Sequence, residues 1–209
     1  NLTAAVFLLA AVATAVATVR TRRRGAPGVV LLTIVTLGLF VSGMEEISWG
    51  QRIVGFTGPE ALTGANLQQE ANLHNLATDA TETACYSAAA FGLVLLPYLA
   101  ERLGLPRRLP WLGAAIGPSW LLAVTVPSLA FTYDMWDVVP VQLVFLAGVG
   151  LLVVAARRRD AAVLGSAALG YGLVALTVVA QVAFLAGGEG FVRLHDVTEH
   201  RELLTGLAF

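Results

Sequence analysis

Two adjacent carboxylates, Glu45 and Glu46, directly follow the apolar run GVVLLTIVTLGLFVSGM. An isolated charge beside hydrocarbon is costly, so such carboxylates must find partners or take up protons. If the helix continues past the apolar run, Glu45, Trp49 and Arg52 share one face, which makes Arg52 the nearest partner for Glu45. We therefore predict Glu45 and Glu46 to be catalytic acids or bases, with Glu45 paired inward.

The three histidines of the chain lie in two short stretches, and each stretch also carries a carboxylate at helical spacing. Glu70 and His74 are four residues apart, as are His195 and Glu199, and His200 follows directly. A carboxylate and an imidazole at this spacing can hold a divalent metal on a helix. The pattern predicts His74, His195 and His200 as ligands of a metal such as zinc, with Glu70 and Glu199 as catalytic groups, either ligands or general bases.

A second interpretation of the same residues is structural. Acids and histidines on interfacial helices often form only the solvated face, where ion pairs contribute little to stability. The sequence leaves both interpretations open.

The elements that must position these residues are membrane helices. The chain of 209 residues is 57% hydrophobic and 13% charged, far from the roughly 25% charged residues of a soluble domain. Six segments approach the ~20 residues of a spanning helix. They are 2–19, 28–44, 83–100, 111–131, 138–156 and 161–187, and a seventh begins at LLTGLAF if the chain continues. We predict an all-α, polytopic transmembrane helix bundle that forms one integral membrane domain over residues 1–209.

The distribution of arginine predicts the orientation of this bundle. All thirteen basic residues are Arg, and ten of them lie in alternate connections. These ten are Arg20, Arg22, Arg23, Arg24, Arg102, Arg107, Arg108, Arg157, Arg158 and Arg159. Because positively charged loops stay in the cytoplasm, we expect a cell-membrane protein whose amino terminus and motif-bearing loops are extracytoplasmic.

The longest connection, residues 45–82, lies on the predicted outer side. It is too long for a simple turn, and Gly55, Gly58 and Pro59 divide it into two expected interfacial helices. Two shorter outer stretches, TYDMWD and GEGFVRLHDVTEHRELL, follow the fourth and sixth segments.

Polar residues within the segments also lie toward the outer side. Gln142 and Gln181 each lie near the outer end of a segment, while Pro118 and Pro127 are expected to kink the fourth. Either glutamine could line a polar cavity or form a hydrogen bond between helices without a further function, and the second interpretation fits Gln142 better. Glycines 148, 150, 165, 170 and 172 indicate close helix packing.

The blocks EEISWGQR and NLQQEANLHN resemble the signature of a family of uncharacterised prokaryotic multi-pass membrane proteins, over residues 45–76. A looser similarity is to the alkaline ceramidase and adiponectin-receptor-like membrane hydrolases, which implies a metal-dependent hydrolase. Their late histidines are spaced His-x-x-x-His, whereas His195 and His200 are five apart. That spacing turns the two imidazoles about 140° apart on a straight helix, so one zinc binds both only if the helix breaks between them.

Two functions of different classes fit these observations. The first is a metal-dependent membrane hydrolase or transferase that acts on a lipid or lipid-linked substrate, with a metal-bound water as nucleophile. The second is a non-catalytic subunit of a larger membrane complex, which docks a partner subunit or orders a cofactor through its outer loop. Membrane lipid is the expected partner in the first case, and no nucleic-acid partner is expected.

Overall fold

The fold was obtained as a computed structural model, which describes residues 2–22, 25–60, 64, 78–160, 163–195 and 203–204. Within these residues the regular elements are all helical, and five helices are long and apolar enough to cross a membrane. These five are Leu2–Thr21, Ala26–Glu45, Thr83–Arg102, Val139–Arg157 and Ala167–Gly188. The predicted helical membrane bundle is therefore confirmed, and the chain is a multi-pass membrane protein.

Residue contacts divide the chain into two compact units, Asn1–Cys85 and Tyr86–Phe209. The expectation of one membrane domain over the whole chain stays a prediction.

In the first unit, α1 (Leu2–Thr21) and α2 (Ala26–Glu45) pack against each other. Gly25 adopts a positive φ of 128°, and Pro27 lies in the first turn of α2, where its missing N–H is not needed. The interface between the helices contains Phe7, Ala10, Ala11 and Leu39. The hydroxyl oxygens of Thr14 and Thr36 lie 3.0 Å apart across it, so a polar contact joins the two helices within the span.

Gly43 allows the end of α2 to approach the start of α1 closely. A Cβ atom at this position would lie 2.8 Å from Leu8 Cγ and 3.3 Å from the carbonyl oxygen of Ala4. The last turn of α2, which carries Glu45, is thereby fixed against the first turns of α1. A 3₁₀ turn at Ser48–Gly50 and the short helix α3 (Gln51–Val54) follow.

The second unit continues from α4 (Thr78–Ala90), inside which the boundary between the units falls. A π-helical segment at Phe91–Leu95 leads into α5 (Leu96–Arg102), and short helices α6 (Leu105–Arg108) and α7 (Pro110–Ala115) come next. The remaining elements are α8 (Leu121–Ser128), a 3₁₀ segment (Leu129–Met135), α9 (Val139–Arg157) and α10 (Ala167–His195).

The fourth predicted segment, residues 111–131, is not one continuous span. Helix α7 ends at Ala115 and Ile116 is extended, with φ −102° and ψ 143°. Pro118 explains why the helix cannot continue, because proline lacks an N–H donor and its ring would clash with the carbonyl four residues earlier in a helix. The apolar helix that remains, Leu121–Tyr133, is shorter than a full span. The sequence therefore predicted a kink at Pro118 where the structure has a break, and Pro127 lies inside α8.

The sixth predicted segment, residues 161–187, also has different limits. Its helix begins only at Ala167, after a turn in which Gly165 has a positive φ of 64°, and continues to His195. Gly188, with φ 57° and ψ −157°, interrupts the helix near the predicted end of the span.

The core of the second unit is built around α8, α9 and the π-helical segment. Leu122, Val126 and Leu152 are fully buried, and Val94 packs with them. At the arginine-bearing end of the unit, Arg102 forms an ion pair with Asp160 and lies 5.1 Å above the ring of Tyr98. This contact brings the connection after α5 and the connection after α9, with their arginine clusters, to one end of the unit.

Candidate functional site

The carboxylate of Glu45 lies in a turn formed by unusual backbone conformations. Ser48, Trp49 and Gly50, which begin three residues after the end of α2, have positive φ angles of 48°, 54° and 86°. Such angles are uncommon for residues with a side chain and cost roughly 1–2 kcal/mol each. Two consecutive non-glycine residues in this conformation mark the turn as strained, and strained residues cluster at functional sites.

The turn buries Glu45 and gives it a specific donor. Glu45 is only 7% exposed and Ser48 1% exposed. The indole Nε1 of Trp49 donates a hydrogen bond to Oε1 of Glu45 at 2.5 Å. This hydrogen bond holds the carboxyl group of Glu45 in a defined orientation at the end of α2.

The expected continuous helix from Glu45 through Arg52 was wrong. Helix α2 ends at Glu45, the left-handed residues interrupt the path, and a new helix begins at Gln51. Trp49 nevertheless contacts Glu45, through the turn rather than along a helical face. The side chain of Arg52 lies outside the described part, so the predicted Glu45–Arg52 pair stays a prediction.

Glu46 plays a different part from Glu45. It is the residue that caps α2, where its backbone N–H donates to the carbonyl of Ser42 at 3.1 Å, and its side chain is half-buried. The two adjacent carboxylates are therefore inequivalent, which the sequence alone could not show.

The predicted metal ligands fall mainly outside the described residues. Glu70, His74, Glu199 and His200 lie there, and His195 is described only as the last residue of α10. Within the described residues no group of three or more His, Cys, Asp or Glu side chains could hold a metal ion. The shared site of His74 and His195 therefore stays a prediction.

The two glutamines of the spans differ in their environment. Gln142 donates from its amide nitrogen to the backbone carbonyl of Trp136, which ties the start of α9 to the preceding segment. Gln181 is 3% exposed, and neither amide atom has a hydrogen-bond partner among the described residues. The structural interpretation thus applies to Gln142.

Several residues that form the Glu45 turn and the surroundings of Gln181 could not be recognised from the sequence. The residue types at Ser48 and Trp49 do not predict left-handed backbone, and only Gly50 indicates a turn. The packing of Phe184 against Phe131 and Tyr133, with ring centroids 5.2 Å apart in both pairs, also went unpredicted. The position of Phe184, three residues after Gln181, was the available signal, since that spacing places both on one helical face.

Comparison with protein-family models, with curated proteins and with solved structures returns no match for this chain. The fold defines the class, a multi-pass helical membrane protein.

Proposed function

We propose that this protein is a membrane enzyme that acts on a lipid or lipid-linked substrate, with its catalytic carboxylates at the arginine-poor side of the membrane. In this proposal Glu45 and Glu46, with Glu70 and Glu199, supply the acid, base or ligand groups. His74, His195 and His200 bind a divalent metal such as zinc, whose chemistry would be to activate water at neutral pH.

The observation that carries the proposal is the Glu45 turn. A carboxylate at the end of a membrane helix, fixed by an indole donor that a strained turn supplies, is preoriented before any substrate arrives. Such preorganisation is valuable for catalysis, because a group already in position needs no rearrangement during the reaction. A surface carboxylate that served only solubility would need neither the burial nor the strain.

Elemental analysis of the purified protein tests the metal. We expect about one divalent ion per chain in the wild type, and its loss in His74→Ala and in His195→Ala, because removing one of three or four donors weakens metal binding sharply. Glu60→Gln is the matched control, since Glu60 is an exposed acid of the same loop. Wild-type protein without stoichiometric metal would remove the metal from the proposal.

Lipid analysis tests the enzymatic role of Glu45 separately. Cells that produce the wild type should differ in lipid composition from cells that produce equal amounts of Glu45→Gln. Identical lipid profiles, together with normal levels of both proteins in the membrane, would contradict an enzyme that depends on Glu45.

A second function, a subunit of a larger membrane complex, has one observation in its favour. Ile53, Val54 and Phe56, directly after the Glu45 turn, are 73%, 76% and 43% exposed. These apolar side chains suit contact with the bilayer interface or with another membrane subunit. Ile53→Ser with Val54→Ser should lower the native mass of the protein solubilised in mild detergent if they contact a subunit, and leave it unchanged if they contact lipid.

A further inference from the structure

Gln181 is a neutral polar side chain buried inside the second compact unit. Only 3% of this residue is exposed. Neither its amide nitrogen nor its amide oxygen has a hydrogen bond to any described residue. Burying an amide without a partner is unfavourable, and hydrocarbon supplies no water to replace one. A buried side chain in this condition indicates a binding partner that the described residues do not include.

The position of Gln181 along the membrane span indicates where that partner comes from. It lies seven residues before Gly188, where the spanning part of α10 ends, which corresponds to about 10 Å at 1.5 Å per residue. Helix α10 begins beside the turn that follows Arg157–Arg159, so Gln181 lies in the half of the span farther from those arginines. A partner that reaches this depth comes from the bilayer rather than from the aqueous phase.

The surroundings of Gln181 describe the chemistry of the partner. Thr177, one turn earlier on the same face, is fully buried and donates to the carbonyl of Leu173 at 2.7 Å. One turn later, Phe184 packs against the rings of Phe131 and Tyr133. Aromatic rings thus lie on the Gly188 side of the amide, and a hydroxyl lies on the other side. These neighbours suit an uncharged molecule.

We propose that Gln181 binds the polar end of an uncharged amphiphile that carries a carbonyl or hydroxyl oxygen. The amide offers two N–H donors to a carbonyl oxygen and one acceptor to a hydroxyl, and the aromatic rings contact the apolar part next to the polar end. The backbone of α10 departs from helical geometry at Gly188, about one turn away.

Two kinds of membrane molecule share this chemistry, an isoprenoid quinone and a diacylglycerol. Binding at Gln181 needs neither the Glu45 turn nor a metal, so the proposal is independent of the proposed enzyme activity.

Thermal unfolding of the purified full chain, titrated with decylubiquinone in one arm and dioctanoylglycerol in the other, tests the proposal. One of the two probes should raise the Tm of the wild type to a plateau, and the probe that does so identifies the source. In Gln181→Met the apparent Kd should rise about tenfold, as expected for the loss of one neutral hydrogen bond. Without probe, Gln181→Met should unfold at the wild-type Tm or above it, because an amide without a partner has been removed.

Gln142→Met is the matched control. It removes the same side chain from a neighbouring helix, but Gln142 has its partner, the carbonyl of Trp136. Its Tm should therefore fall, while its Kd for the probe should stay at the wild-type value.

Three results would overturn the proposal. The first is a wild type that neither probe stabilises and whose solvent extract contains no neutral lipid. The second is a Gln181→Met protein that binds the probe like the wild type. The third is a Tm of Gln181→Met that falls as far as that of Gln142→Met, which would show that the amide is bonded within the chain. If Gln181→Met does not fold, Phe184→Leu replaces it, and unchanged probe binding there would count against the site.

Discussion

At the scale of single residues, the Glu45 turn balances two contributions of similar size. Left-handed backbone at Ser48 and Trp49 costs roughly 2–4 kcal/mol in total. A hydrogen bond to a carboxyl oxygen contributes about 0.5–3 kcal/mol, the upper part of that range applying to an ionised group. The indole hydrogen bond is therefore of the same size as the strain and offsets much of it.

The hydrogen bond between Trp49 and Glu45 makes a testable contribution to stability. Trp49→Phe keeps an aromatic ring and removes the N–H donor, so we expect the free energy of unfolding in detergent to fall by about 1–3 kcal/mol. Glu45→Gln should also destabilise the protein, and the double variant should lose less than the sum of the two single losses. Trp120→Phe, at an exposed tryptophan, should have little effect. Losses that add to within about 0.5 kcal/mol would show that the two side chains are not coupled.

At the scale of helices, the glycines divide into those that allow close packing and those that face open space. A Cβ at Gly170 would lie 2.6 Å from Ala156 Cβ and 3.2 Å from Ala156 Cα, and so would clash with α9. At Gly172, two residues farther along the same helix, a Cβ would meet nothing within 4 Å. Lipid does not drive apolar helices together, so close approach at small residues carries much of the association.

The pair Gly170 and Gly172 gives a prediction with its control in the same helix. Gly170→Ala should destabilise the protein by about 1–3 kcal/mol, because overpacking forces α9 and α10 apart. Gly172→Ala should be neutral or stabilising by up to about 1 kcal/mol, since alanine is the better helix former. Chemical or thermal unfolding in detergent measures both. Equal effects of the two substitutions would contradict the packing of α10 on α9.

At the scale of the whole molecule, the apolar outer faces and the arginine clusters describe how the chain meets its membrane. Leu9, Leu143 and Val179 are each at least 60% exposed, as expected for side chains that contact lipid. The Arg102–Asp160 pair joins two arginine-bearing connections at one end of the second unit. Arginine clusters occur in alternate connections along the chain, and alternate connections of a membrane bundle must lie at the same end.

We expect those connections to lie in the cytoplasm, because positively charged loops stay there. In a background with Cys85→Ala, we expect Thr57→Cys to react with a membrane-impermeant thiol reagent in intact cells. Ser166→Cys, near the Arg157–Arg159 cluster, should react only after permeabilisation. Both native residues are exposed, so accessibility within the fold does not decide the result. The opposite labelling pattern would place the arginine clusters outside the cell.

The long helices could be predicted from the sequence because a spanning helix is specified by local composition alone. The predicted spans at 2–19, 28–44 and 138–156 agree with Leu2–Thr21, Ala26–Glu45 and Val139–Arg157 to within about two residues, close to the usual uncertainty of helix ends. The break at Ile116 was harder to predict, because a proline within a span can produce either a kink or a break, depending on tertiary contacts.

The details of the candidate sites depended on tertiary structure that the sequence does not encode locally. Glycines 148, 150, 165, 170 and 172 appear alike in sequence, but only Gly148 and Gly170 lie against a neighbouring helix, and Gly165 forms a turn. Gln142 and Gln181 likewise occupy similar positions in their spans, but only the structure distinguishes a bonded amide from one without a described partner.

The π-helical segment Phe91–Leu95 determines the direction in which the later side chains of the third span point around the helix axis. One residue inserted into an α-helix rotates everything after it by about 100° relative to everything before it. Arg102 lies after this segment, and its rotated position lets it contact Asp160. Deleting a single residue from the segment would restore a regular helix and turn Arg102 away, although the span would remain apolar and almost as long. Among related chains, a one-residue length difference here would therefore mark a different connection between α5 and the end of α9 at the arginine-bearing end, rather than a neutral change in helix length.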